Sequence, residues 1–115
     1  MSAETFLYTT LQALVSGRVY PDVAPLDAAL PYVTYQQVGG APVFFLENDL
    51  PSKTHGRFQI NSWAGTRLAA TDLARDVEAA LFAEGVRPMG DLVAARDETN
   101  DAYGAMQDFS VWTDR

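Results

Sequence analysis

The sequence predicts an α+β fold: two helices packed on a mostly antiparallel sheet, with a long inter-strand loop and a C-terminal β-hairpin. Three observations carry that expectation. Apolar residues recur at three- and four-residue steps in two separate stretches, 3–15 and 66–84, which is the period of an amphipathic helix. Residues 56–64 and 103–113 instead alternate with period two, as strands covered on one side do. Between the first helix and the first strand, Pro21, Pro25 and Pro31 each remove a backbone donor and push the preceding residue toward extended geometry, so residues 17–31 form a shaped connector.

In the first helix Leu7, Leu11, Leu14 and Val15 share one face and Phe6 widens the stripe. Glu4 suits the positive end of the helix dipole, and Gly17 stands where a C-cap is expected. The connector runs into a strand at Tyr32–Val38, rich in aromatic and β-branched residues and ended by Gly39-Gly40. A second strand is expected from about Gly56 to Ala64, with Phe58 and Ile60 inward and Arg57, Gln59 and Asn61 outward. Trp63 falls on the polar side, where it either caps its own sheet or contacts a partner.

Thr66 can accept a first-turn N–H and so start the second helix, whose inner face is Ala70, Leu73, Ala74, Val77 and Leu81, and Gly85 ends it. The alanines imply close approach to a neighbour, either the first helix or the sheet. The closing hairpin joins Leu92–Ala95 to Tyr103–Thr113 through a polar tip, 96–101. Its inward set is Tyr103, Ala105, Phe109 and Val111, and its outward set is Met106, Asp108, Ser110 and Trp112.

The loop 41–54 departs from what a surface connection normally contains. It carries Val43, Phe44, Phe45 and Leu46 in succession, flanked by the polar Glu47-Asn48-Asp49. Such a run either folds back on its own core or marks a subunit contact with a polar rim.

At 115 residues, with 48% hydrophobic and 20% charged positions, the chain suits one globular domain, 1–115, able to bury a core without staples. It has no cysteine, which excludes disulfides and every thiolate site. No signal-like start or membrane-length apolar run is present, so a soluble cytoplasmic product is expected. Net charge is −7 and opposes binding to a phosphate backbone. The C-terminal third is the most acidic. Its cluster Asp97, Glu98 and Asp101 is either a solubilising surface or an acidic lining that DNA passes without sticking.

Catalytic chemistry is not legible. His55 is the only histidine, sits at a loop-to-strand junction and is expected to be solvated; no nucleophile elbow accompanies it. One histidine and no cysteine do not make a zinc site, and the acidic tip lacks the spacing of a calcium loop. Gly39-Gly40 lacks the surroundings of a phosphate loop, and no pair of carboxylates is placed across a cleft. No cofactor, metal or catalytic residue is therefore expected.

Several pieces in order resemble the tail-completion (tail-terminator, head-tail joining) proteins of long-tailed bacteriophages and prophages. They are the first helix, Gly17-Arg18-Val19-Tyr20-Pro21, Ala24-Pro25, Leu30-Pro31-Tyr32-Val33-Thr34-Tyr35-Gln36, Phe58-Gln59-Ile60-Asn61-Ser62-Trp63-Ala64 before an alanine-rich helix, and a closing hairpin. The resemblance spans nearly the whole chain. It implies a non-enzymatic virion subunit, assembled in the bacterial host cytoplasm, that caps the head-proximal end of the tail tube as a homo-hexameric ring. Its implied partners are further copies of itself, the tail-tube protein and the head-connector protein, with DNA passing unbound and no membrane. Two other readings stand beside it: a minor head-tail neck protein, and a small α+β ligand-binding or enzyme domain.

Overall fold

The computed structural model describes residues 2–41 and 53–114. Helix α1, Ala3–Leu11, begins where the Ser2 hydroxyl accepts the Thr5 N–H at 3.1 Å, satisfying one of the donors that a helix start leaves open. Its last turn tightens into a 3-10 helix at Gln12–Leu14, and Gly17 follows at φ +80°, the left-handed geometry that closes a helix without strain.

The connector is less passive than its prolines suggest. Val19–Pro21 forms strand β1, paired in parallel with β2, Tyr32–Gly39, in the register Val19 to Val33. Arg18 helps to hold this entry by donating from Nε to the Pro31 carbonyl at 2.9 Å. Strand β3, Lys53–Ala64, begins three residues earlier than its alternation indicates, because Lys53, Thr54 and His55 pair with the far end of the last strand. Lys53 and Thr54, expected in the loop, therefore belong to the strand, and the run Val43–Leu46 lies outside the described residues.

Helix α2, Arg67–Ala83, starts at Thr66, whose hydroxyl accepts the Ala69 N–H at 3.1 Å. It stops at Gly85, φ +84°, with Val86 N–H returning to the Leu81 carbonyl. A two-residue strand β4, Arg87–Pro88, leads to the hairpin of β5, Val93–Asp97, and β6, Ala102–Asp114. The sheet order is β1-β2-β3-β6-β4, with β5 also on β6, and every pairing except β1 with β2 is antiparallel. The architecture is thus α+β, with two α-helices and a mixed six-stranded sheet among the described residues.

Both helices lie on one face of this sheet. Leu7, Leu11 and Val15 meet Val33, Tyr35, Phe58, Ile60, Phe109 and Val111, while α2 adds Leu73, Val77 and Leu81. Helix α2 lies mainly against β3 and β6, with a smaller contact to α1, and buries Ala70 and Ala74. Ser62, 1% exposed, and Gln107, 4% exposed, are the polar residues inside the layer, and Gln107 donates to Glu78 Oε2 at 2.7 Å and to the Gly90 carbonyl at 2.8 Å. Those two acceptors give its amide N–H groups partners, while its Oε1 is buried without one.

Phe109 lies opposite Phe58 at the centre of the layer and is 1% exposed. Phe109→Ala is expected to destabilise the fold by about 3–5 kcal/mol in urea unfolding, since the site is too tightly surrounded to collapse. Thr113→Ala, at the far end of the same strand, is expected to stay within about 0.5 kcal/mol.

Candidate functional site

The sheet's other face carries no helix among the described residues, and its side chains follow from strand alternation. At one end, Tyr20, Tyr32, Thr34, Asn61 and Trp63 project together because β1, β2 and β3 are in register there. The rings of Tyr20 and Tyr32 meet edge to face at 6.0 Å, and Tyr32 and Trp63 lie 6.4 Å apart. Trp63 Nε1–H donates to Thr34 Oγ1 at 3.1 Å. The indole occupies the space over Gly104, its partner across the ladder: a Cβ there would stand 2.7 Å from Trp63 Cζ3. Trp63 therefore caps its own sheet, and its half-exposed edge faces a cavity.

That cavity, of about 370 Å³, is closed by two segments distant in sequence. The connector supplies Asp22, Val23 and Ala24, and the hairpin tip supplies Asp97, Thr99 and Asn100. Asp22 is turned there by a positive φ of 62°, held while its N–H donates to the Tyr35 carbonyl at 2.8 Å. Asp97 shapes the tip by accepting the Asn100 N–H at 3.3 Å and the Asn100 side-chain amide at 3.2 Å. Asn61 Oδ1, in the cavity wall, is buried without a hydrogen-bond partner.

Two sequence candidates, Trp63 and Asp97, thus share one site. The rest of the acidic cluster does not. Glu98 is exposed, and Asp101 pairs with Arg96 at 2.7 Å, Arg96 in turn lying over the Tyr103 ring at 4.1 Å. The tip is shorter than expected, since Arg96 and Asp97 belong to β5. The pairing of Asp22 with Asp97 across a cavity was invisible in the sequence, because 75 positions separate them and only the parallel β1–β2 ladder brings the connector back. A proline followed by aspartate at a strand end was the one available hint.

His55 also differs from expectation. It is a half-buried strand residue stacked on Trp112 at 4.6 Å, with Nε2 2.6 Å from Ser110 Oγ and Nδ1 accepting the Ala41 N–H at 2.8 Å. The geometry resembles a Ser-His pair but has the wrong polarity. Because Nδ1 is an acceptor, the neutral ring carries its proton on Nε2 and donates to Ser110, whereas a serine nucleophile needs Nε2 free to take its proton. Among the described residues no three His, Cys, Asp or Glu side chains converge as a metal site.

Burial pushes the Tyr32 phenol above its ordinary range; the Asn100 amide pulls it down and the Asp97 charge pushes it up again. Burial, then the charge of Glu4, raises Tyr35 in the same way. Both groups hold their protons more tightly folded than unfolded, so their contribution to stability is complete below the unfolded value near pH 10 and is lost as pH rises past it. The urea midpoint is therefore expected to fall between about pH 9 and 11, and to fall less in the Tyr32→Phe, Tyr35→Phe double variant. A second measurement addresses the Trp63 seat. Gly104→Ala, on a Trp112→Phe background, should cost about 1–3 kcal/mol and shift Trp63 emission to the red as the ring is driven off its shelf.

The chain matches the family model described as tail completion protein gp17 over residues 8–114. No curated protein matches it significantly. With the match running from α1 to the end of β6, the chain belongs to the phage tail completion protein gp17 family, a family of structural tail proteins.

Proposed function

We propose that this chain, acting as a single domain, is the subunit of a six-membered ring that caps the head-proximal end of the tail tube, ends tube growth and joins tail to head. The observation that carries the reading is the family match across nearly the whole chain. Its partners are then neighbouring copies, the tail-tube protein below and the head-connector protein above, and its place is the virion tail.

The fold is compatible with work by assembly. One sheet face is consumed by the helices, while the other keeps Trp63 half-buried and Trp112 55% exposed, aromatic anchors of the type that dominate protein contacts. The apolar run Val43, Phe44, Phe45 and Leu46 is assigned to the side-to-side contact. The net charge of −7 keeps passing DNA from binding the wall. In that role Glu98 weighs more than Asp101, whose charge Arg96 offsets.

Light scattering coupled to size exclusion, at rising concentration and with tail-tube protein added, is expected to give a hexamer, with rings in electron micrographs. A monomer under every condition sinks the ring. Replacing Phe44 and Phe45 with serine should weaken assembly by on the order of 2 kcal/mol or more per subunit contact while the melt stays cooperative. Loss of the cooperative melt would instead assign these residues to the core.

A further inference from the structure

The cavity beneath Trp63 has a chemical character that end-capping does not call for. Its charged groups are both carboxylates, Asp22 and Asp97, and neither takes part in an ion pair among the described residues. Asp97 spends one lone pair of each oxygen on Asn100 and retains others, since an ionised carboxylate offers about four acceptor sites. Asn61 Oδ1 adds an acceptor with no partner, and its terminal torsion is soft enough to turn that oxygen to an entering donor. The wall between these acceptors is aromatic, Tyr32 and Trp63.

Acceptors around an aromatic shelf suit a planar cation. A guanidinium donates in its own plane to carboxylate and amide oxygens while its face stacks on an indole; an ammonium has no such face. The rim speaks for a protein as the source. Val23, on the cavity edge, is 79% exposed, and Leu26 in the same connector is 74% exposed. Apolar groups standing free beside a polar pocket are buried by a protein surface and gain nothing from a small free cation. We propose that this cavity is a socket for an arginine side chain presented by a neighbouring protein, with Asp22 and Asp97 as its ion partners and Trp63 as its stacking surface.

The test uses the intact chain carrying Trp112→Phe and follows the Trp63 indole N–H and the Asn61 and Asn100 amides by NMR. Three probes are titrated: N-acetyl-arginine amide, its uncharged isostere N-acetyl-citrulline amide, and the peptide acetyl-Leu-Arg-Leu-amide. The expected result is saturable shifts with arginine, none with citrulline, and tighter binding of the peptide. Asp22→Asn, which keeps a residue tolerant of the positive φ, should weaken arginine binding about tenfold, the worth of one charge-assisted hydrogen bond. Asp97→Asn should do the same, and its unchanged spectrum elsewhere would show the hairpin tip intact. Equal shifts with citrulline, absence of saturable shifts, or arginine affinity unaltered by Asp22→Asn would each overturn the socket. A peptide binding no tighter than the single residue would overturn the protein source.

Discussion

The long antiparallel ladder between β3 and β6 is the constraint on which the rest of the structure depends. It pairs Lys53 with Asp114 at one end and Ala64 with Tyr103 at the other without a break in register. Because strand side chains alternate, a slip of β3 by one residue would carry Phe58 and Ile60 out of the core and bring Arg57 and Trp63 into it, and a slip of β6 would exchange Phe109 for Asp108 in the same way. Register is fixed from both sides. Phe58 opposite Phe109 holds it within the helical layer, and on the open face Arg57 holds Asp108 through Nε and Nη2 at 2.8 and 2.6 Å. The ion pair is half in water and contributes little by itself; in a slipped register one of its two charges would have to enter the apolar layer without the other.

The same ladder places the site. Trp63 needs a partner with no side chain, and the register supplies Gly104. Arg67, the first residue of α2, ties this end down from the other side, donating to the Gly104 and Ala95 carbonyls while its guanidinium lies 5.4 Å from the Tyr103 ring. The hairpin tip is therefore held from the helical face by Arg67 and Arg96 and from the open face by the cavity wall. A turn fixed on both faces gives Asp97 a defined position, which is what separates a binding group from a solvated one.

How far the sequence discloses this structure depends on the range of the interaction concerned. The buried stripe of α2, Ala70 to Leu81, and its Thr66 cap are legible because both are set by neighbours within four residues. The inward faces of β3 and β6 are legible for the same reason, and Trp63 is recognisable as an oddity on a polar face. Gln107 escapes notice because a buried glutamine looks like an exposed one until Glu78 and the Gly90 carbonyl are seen beside it. Strand β1 is hidden by the prolines around it, since a parallel partner contributed from elsewhere leaves no local period. Residues 53–55 read as loop because their pairing lies with residues 112–114. What cannot be read from sequence is tertiary pairing between distant segments, and the cavity is made entirely of it.

Charge placement follows an order of its own within an acidic chain. Arg57, Arg75 and Arg96 each stand beside a carboxylate, Asp108, Asp91 and Asp101 respectively, so three of the eight basic residues are spent on the strands and helix that frame the hairpin. Among the carboxylates that remain without an ion pair, Asp22 on the connector and Asp97 at the tip look into the same concavity. Repulsion between them is tolerable because the cavity opens to water and the ladder, not their own attraction, holds the segments that carry them. Walls of low dielectric concentrate the field of such a pair toward the opening. Excess negative charge on an open surface serves solubility; two uncompensated carboxylates set against an aromatic floor favour a cation that can use both.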